Sequence, residues 1–253
     1  MAASAPKPFI EVQGLRKKIG TQEILKDVNI TAYRGETLVL IGPSGEGKSV
    51  LMKHTIGLLK PDAGKITVDG IEMSQLRERQ LAPIRKKIGI LFQNAALFDS
   101  MTVAQNVAFP LLETGLRDKE EIRKRVYQAL EVVELDGHED KMPVNLSGGM
   151  KKRAGIARAI VGEPQCVLFD EPTAGLDPIV SDVIDQMILR LKRRFGMTAI
   201  VVTHDMKSVF KIADRVAMLK RGVIYFWGTP QELRDSKDPQ IQDFIEGRSE
   251  ITA

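Results

Sequence analysis

Among 253 residues there is one cysteine and one tryptophan. A lone cysteine has no partner for an intrachain disulfide. The three histidines, His54, His138 and His204, are scattered and form no metal-ligand spacing. Aromatic residues are 5% of the chain and do not interleave with the basic ones. A base-stacking platform for nucleic acid is therefore not expected. No run of 18 apolar residues occurs, so no bilayer-spanning helix is expected. Met1 to Phe9 has one lysine, two prolines and no apolar core, unlike a secretory signal. The expected compartment is cytosolic. An excess of one charge is also lacking: 37 basic against 33 acidic residues give a net +4, which permits contact with an anionic membrane surface or nucleic acid and argues for neither.

What is present reads as a globular α/β chain. Hydrophobic residues are 43% and charged residues 28%. Phe9 to Gln13 alternates as an edge strand would, and Ile24 to Ala32 is a second strand. Leu38 to Ile41 is a continuous apolar run, the mark of a buried parallel strand. A helix is expected from Lys48 to about Leu59, then strands at Ile66–Val68 and Ile88–Phe92. From Asn94 to Val161 helical periodicity takes over, with Ile122, Val126, Ala129, Leu130 and Val133 on one stripe. Strands return at Cys166–Phe169 and Thr198–Thr203, separated by a helix over 179–195. A last β-like piece covers Arg215 to Trp227. Strand, helix, strand in this order predicts a parallel sheet flanked by helices.

Two sites of chemistry stand out. Gly42-Pro43-Ser44-Gly45-Glu46-Gly47-Lys48-Ser49 fits the phosphate-loop pattern, and it follows a buried strand and opens a helix that continues with Val50. Glycines let backbone N–H groups converge on phosphate oxygens, and the helix start adds positive potential. Lys48 would reach the β- and γ-phosphates, and the Ser49 hydroxyl would ligate Mg²⁺. The second site is the strand Cys166 to Phe169, which ends in Asp170 and Glu171. Parallel sheets place chemistry at the carboxyl ends of their strands. Asp170 would hold Mg²⁺, mostly through water, and Glu171 would polarise the attacking water as general base.

Leu146-Ser147-Gly148-Gly149-Met150 lies upstream of Asp170 and narrows the class. With the phosphate loop and the acidic strand end, it resembles the ATP-binding cassette (ABC) family over about residues 9–230. The resemblance implies a P-loop, RecA-like α/β core with an N-terminal antiparallel β subdomain and an inserted α-helical subdomain. The whole chain would be one ABC ATPase domain. Residues 1–93 and 162–227 would form the core, 94–161 the helical insert, and 228–253 a C-terminal tail. It further implies that Ser147, Gly148 and Gly149 contact the ATP held by the other subunit of a homodimer. Gln93 would take the Q-loop place, sensing Mg²⁺ and water; Asp177 would lie in the D-loop; His204 would be the switch histidine at the γ-phosphate. ATP and Mg²⁺ are the implied cofactors. Two departures matter. Where the family often stacks an aromatic on adenine, this chain has Ile19, so weaker base discrimination is expected. Where the signature often ends in Gln, Met150 makes no amide hydrogen bond.

Within the family, Gln93 to Val103, Asn106 to Leu111, Leu146 to Arg153, Asp177-Pro178-Ile179 and Asp238 to Gly247 resemble the ATPases of Mla- and Mce-type phospholipid transporters. That resemblance implies an integral permease docking near 94–111, with Leu97, Phe98 and Met101 lining the groove. It also implies an Mce-type lipid-binding subunit, a place on the cytoplasmic face of the inner membrane, and a tail that reaches the partner subunit. Rival readings are a cassette for another importer, such as one for amino acids, and a non-transporting ATPase that transmits force to cell-wall hydrolases.

Overall fold

The computed structural model describes residues 7–248. Its first sheet grows from alternation in β1 (Pro8–Ile19), where Ile10 and Val12 turn inward and Leu15 follows after a bulge. β1 pairs antiparallel with β2 (Gln22–Tyr33) on one side and β4 (Ala63–Val68) on the other; β5 (Ile71–Glu72) continues from β4. The edge-strand expectation for Phe9–Gln13 is thus corrected. Alternation reports one solvated face, not a free edge, and the second partner, β4, comes from far along the chain.

The second sheet has the order β10-β9-β3-β8-β7-β6. β3 (Thr37–Ile41), β6 (Ile88–Leu91), β7 (Cys166–Asp170), β8 (Thr198–Val202) and β9 (Arg215–Lys220) run parallel. Their apolar runs are continuous because both faces are covered. Val39, Ile41, Val167, Phe169 and Val201 face one core cluster. Leu38, Leu40, Leu168, Ile200 and Val202 face the other, which they share with the antiparallel sheet. Cys166 belongs to that second cluster, and burial pushes its thiol far above the ordinary range, so it is inert packing. The stretch read as one β-like piece is a hairpin. β9 turns at Arg221 and Gly222, both at positive φ, into antiparallel β10 (Val223–Gly228).

Helix α1 (Lys48–Thr55) follows β3 and stops one turn earlier than expected, before Gly57 at φ 69°. After α2 (Glu78–Arg85) and β6, the chain runs through α3 (Val103–Glu113), α4 (Lys119–Val132) and α5 (Gly148–Ile160) before entering β7. α4 buries Val126, Ala129 and Leu130 of the expected stripe. α6 (Pro178–Phe195) connects β7 to β8; its last turn carries Lys192, Arg193 and Arg194, which suit the helix dipole, and Gly196 closes it in the left-handed region. α7 (Met206–Ile212) connects β8 to β9. The tail forms α8 (Pro230–Arg234) and α9 (Pro239–Ile245), and it folds back onto its own chain. Leu233 and Ile241 join the first core cluster, and Phe244 and Ile245 pack against it. The described part of the tail, expected to reach a partner subunit, packs on its own chain through these side chains; residues 249–253 lie outside the described residues. Among the described residues, no helix is long and apolar enough to cross a membrane.

Candidate active site

The carboxyl ends of the parallel strands converge on one region. β3 leads into residues 42–47, and α1 starts at Lys48. Gly42 sits at φ 140°, and a Cβ there would lie 2.0 Å from the Leu219 carbonyl oxygen, so only glycine fits. Gly47 caps α1 at φ 97°, where a side chain would collide with Ile24. Around Gly45, by contrast, the space is open. Pro43 and Glu46 are half-buried, Ser44 is exposed, and Val50 packs on the second core cluster. The Lys48 ammonium donates to the carbonyls of Gly42 (2.6 Å) and Pro43 (2.8 Å) and so lies across the loop. Burial lowers its pKa, opposed by the charges of Glu171, Glu46 and Asp170.

β7 delivers Asp170 and Glu171 beside this loop. The Ser49 hydroxyl is 3.5 Å from Asp170 Oδ1. Burial raises the Asp170 pKa, and the neighbouring charge of Glu171 raises it further; Ser49, Lys53 and Lys152 act the other way. Glu171 has a left-handed backbone, φ 50°, and its N–H donates to the Val202 carbonyl of β8 at 2.8 Å. Non-glycine residues in this region carry strain that their surroundings must hold. Its Oε2 is buried with no hydrogen-bond donor aligned on it, while His204 Nδ1 stands at ion-pair distance, 2.9 Å. His204 follows β8 and its side chain is largely exposed. The adjacent Thr203 hydroxyl accepts from the Asp205 N–H, which begins α7.

These features meet the demands of a magnesium-bound nucleotide. The donors present are oxygens, from a hydroxyl and a carboxylate, with an uncompensated buried oxygen close by. Mg²⁺ favours this: few protein ligands, the rest being phosphate and water. Among the described residues, no group of three or more His, Cys, Asp or Glu side chains could hold a metal. Ser49 and Asp170 could hold the ion, and the glycine loop could hold phosphate.

Other expected residues stand at varying distance from this centre. Gln93 follows β6 in a loop and is exposed; its carbonyl accepts from Lys152. Ile19 ends β1 and is 52% exposed, on the first sheet. Ser147 caps α5, accepting from the Met150 N–H at 3.3 Å, and Gly148 and Gly149 open that helix. A Cβ at Gly149 would meet Val180 at 2.6 Å, so α5 lies close against the start of α6. Asp177 caps α6 through bonds from the N–H groups of Ile179 and Val180. Among the described residues, no hydrogen bond or ion pair joins residues 147–149 to the phosphate loop. Sequence reasoning missed Lys152. It is 5% exposed and donates to the carbonyls of both Gln93 and Glu171. A lysine within Lys151-Lys152-Arg153 reads as solvated surface, and only its spacing from Ser147 along one helix could have flagged it.

Comparison with known proteins agrees with this geometry. A family model described as ABC transporter matches residues 25–174. A probable ribonucleotide transport ATP-binding protein, mkl, from Mycobacterium tuberculosis is 42% identical over 94% of this chain and 67% of the relative. An intermembrane phospholipid transport system ATP-binding protein, MlaF, from Haemophilus influenzae is 39% identical over 96% of this chain and 92% of the relative. A methionine import ATP-binding protein, MetN, from Brucella abortus is 41% identical over 86% of this chain and 58% of the relative. Among solved structures, a dimeric post-hydrolysis state of the ATP-binding cassette MJ0796, bound to ADP and Pi, superposes with a TM-score of 0.80 at 34% identity, covering 87% of this chain and 98% of that one.

Proposed function

This chain belongs to the ABC transporter family as an ATP-hydrolysing subunit that uses ATP with Mg²⁺, and from that premise we propose that it drives a permease moving phospholipids between membranes. One observation carries the substrate class. The phospholipid-transport relative is matched over 92% of its own length, whereas the ribonucleotide and methionine relatives are matched over 67% and 58% of theirs. The methionine importer's similar identity keeps an amino-acid importer as the second reading.

The proposed chemistry assigns each side chain a task. The backbone N–H groups of residues 44–49 and the Lys48 ammonium hold the β- and γ-phosphates, helped by the positive end of α1. Val50 lies behind them, and Ile19 offers an aliphatic contact to the base. When bound, Mg²⁺ neutralises charge that builds on the transferring phosphoryl group. Ser49 and Asp170 would hold that ion, and Gln93 would sense it. Glu171 orients the attacking water and takes its proton, and His204 steadies the γ-phosphate. Ser147, Gly148 and Gly149 of one copy close on the ATP of a second copy, and Asp177 passes the state across. Two copies thus enclose two nucleotides, and the insert 94–161 moves against the core as they close.

The docking segment supports a membrane partner. Leu97 and Met101 are half-buried, and Phe98 is 42% exposed, its ring packed on Phe109 at 4.8 Å. Buried Asn106 fixes this loop, accepting from the Phe98 N–H and donating to the carbonyls of Phe98, Met101 and Thr102. A rigid loop that presents an aromatic side chain suits an intramembrane subunit's cytoplasmic helix. The chain would sit peripherally on the cytoplasmic face of the inner membrane, with an Mce-type lipid-binding subunit in the complex. Purification of the tagged protein from native membranes in mild detergent tests this reading. An integral permease, an Mce-type subunit and enriched phospholipid are expected. A permease with a solute-binding protein and no enriched lipid would move the function to an amino-acid or other importer.

A further inference from the structure

We propose that Lys152 is a positioning residue for ATP hydrolysis, its ammonium tying the signature helix to the Gln93 loop and to the backbone of Glu171. The proposal rests on the assignment of Gln93 and Glu171 to the hydrolysis site.

Three separate parts of the chain meet at this side chain. Lys152 stands on α5, little more than a turn beyond its cap Ser147. Its Nζ donates to the Gln93 carbonyl, in the loop after β6, and to the Glu171 carbonyl, after β7, at 2.7 Å. It is 5% exposed, and among the described residues no carboxylate forms an ion pair with it. Burying an ammonium against neutral carbonyls is costly. The charges of Glu171 and Asp170 offset part of that cost. A side chain that served only to fill space here would be better neutral.

The backbone it grips is strained. Ala95, Ala96 and Glu171 all have left-handed φ, at 57°, 46° and 50°. The carbonyl of each accepts from a cation of α5: Ala95 and Ala96 from Arg158 at 2.6 and 2.7 Å, and Glu171 from Lys152. Gly155 lies between the two cations. A Cβ on it would stand 2.6 Å from Leu91 and 3.1 Å from the Ala95 Cβ, so helix and loop are in direct contact. Strained conformations persist only where their surroundings over-determine them. Arg158 holds only the loop. Among the described residues, Lys152 alone donates to both the loop and the residue proposed as base, so it sets their relative position.

Steady-state ATPase kinetics of the full chain with Mg-ATP test this, alongside equilibrium ATP binding and thermal melting. Lys152→Met removes charge and donors at similar length. It is expected to lower kcat about 10- to 100-fold while KM and ATP affinity change less than about threefold, because the phosphate loop is untouched. Lys152→Arg, which keeps charge and donors, is expected to restore kcat to within about fivefold of wild type. A folded Lys152→Met with kcat within about twofold of wild type overturns the proposal. So does parallel loss of turnover and ATP binding in the Met and Arg variants alike. If Lys152→Met does not fold, Lys152→Gln is judged by the same limits. Glu171→Gln is measured beside them. An inactive Glu171→Gln with an unimpaired Lys152→Met overturns the positioning alone. A fully active Glu171→Gln overturns the site reading and the proposal together.

Discussion

Glu171 concentrates the site's chemistry in one residue. Its left-handed backbone is pinned by the Val202 carbonyl, and its buried Oε2 has no aligned donor. An isosteric amide preserves that fold but cannot take a proton. Glu171→Gln is therefore expected to lower kcat by about 100-fold or more, with ATP binding kept and an ATP-bound dimer accumulating, as read by size-exclusion chromatography with ATP. Turnover near wild type would place the base elsewhere. Ile19 makes a second case. Its exposed aliphatic side chain lacks the face that an aromatic ring offers to a purine. GTP is expected to support turnover within a few-fold of ATP, and Ile19→Tyr to lower KM for ATP by about 2- to 10-fold, in line with a stacking contact. A large ATP preference in the unaltered chain would count against it. At this scale the sequence was legible where chemistry forces a residue type at a fixed spacing. Lys48, Ser49, Asp170 and Glu171 were singled out in this way and the structure brings them into one region, while His204, expected at the γ-phosphate, stands 2.9 Å from Glu171 Oε2. Lys152 was missed, since its burial comes from contacts with the distant Gln93 and Glu171 and only its spacing from Ser147 is a local mark.

Elements were legible to the extent that local patterns define them. α6 has a capping Asp177 before Pro178, an apolar stripe, a basic last turn and Gly196, and the structure closes it there. β1 was misplaced within its sheet because pairing with a distant β4 leaves no local mark, and the β9–β10 hairpin was read as one piece because its turn is only Arg221-Gly222. The contact of α6 with α7 was also invisible. Asp185 on α6 is 3% exposed, and the Ser208 hydroxyl of α7 donates to its Oδ2 at 2.8 Å; the same hydroxyl is 3.3 Å from Asp205 Oδ2. Asp185 Oδ1 is buried without a partner, and Lys211 nearby pairs with Asp182 instead. Burial raises the Asp185 pKa from 3.8 to about 6, with the charges of Asp205 and Asp182 adding to it. The folded state thus binds this proton more tightly than the unfolded state. Its contribution to stability is full below about pH 4 and is lost as pH rises through about 6. Asp185→Asn, neutral at all pH, is expected to stabilise the chain by roughly 1–3 kcal/mol at pH 7.5, the gap closing toward pH 4 in urea unfolding. A pH-independent difference would mean that the carboxyl titrates normally.

At the scale of the whole molecule, the two cores divide the labour. One joins α3–α6 and the tail to the sheet, and the other joins α1 and the antiparallel sheet to the same strands from the opposite face. The phosphate loop and the acidic strand end are thereby fixed to each other. The signature is fixed elsewhere, on α5, with no hydrogen bond or ion pair to the phosphate loop among the described residues. In the proposed dimer the signature acts on the nucleotide of another copy, and a solved cassette similar to this chain is dimeric with ADP and Pi bound. Complementation reads this directly. Lys48→Ala disables a copy's own phosphate loop, and Ser147→Arg places a bulky cation on the signature it presents to its partner. Each variant alone is expected to be inactive. In an equal mixture, about half the dimers are mixed, and each mixed dimer has one intact site, formed by the unaltered loop of one copy and the unaltered signature of the other. ATPase activity is then expected to return to about a quarter of wild type, rising with the fraction of mixed dimers as the ratio is varied. A self-contained site predicts no recovery at any ratio, because each copy would carry a lesion in its own centre.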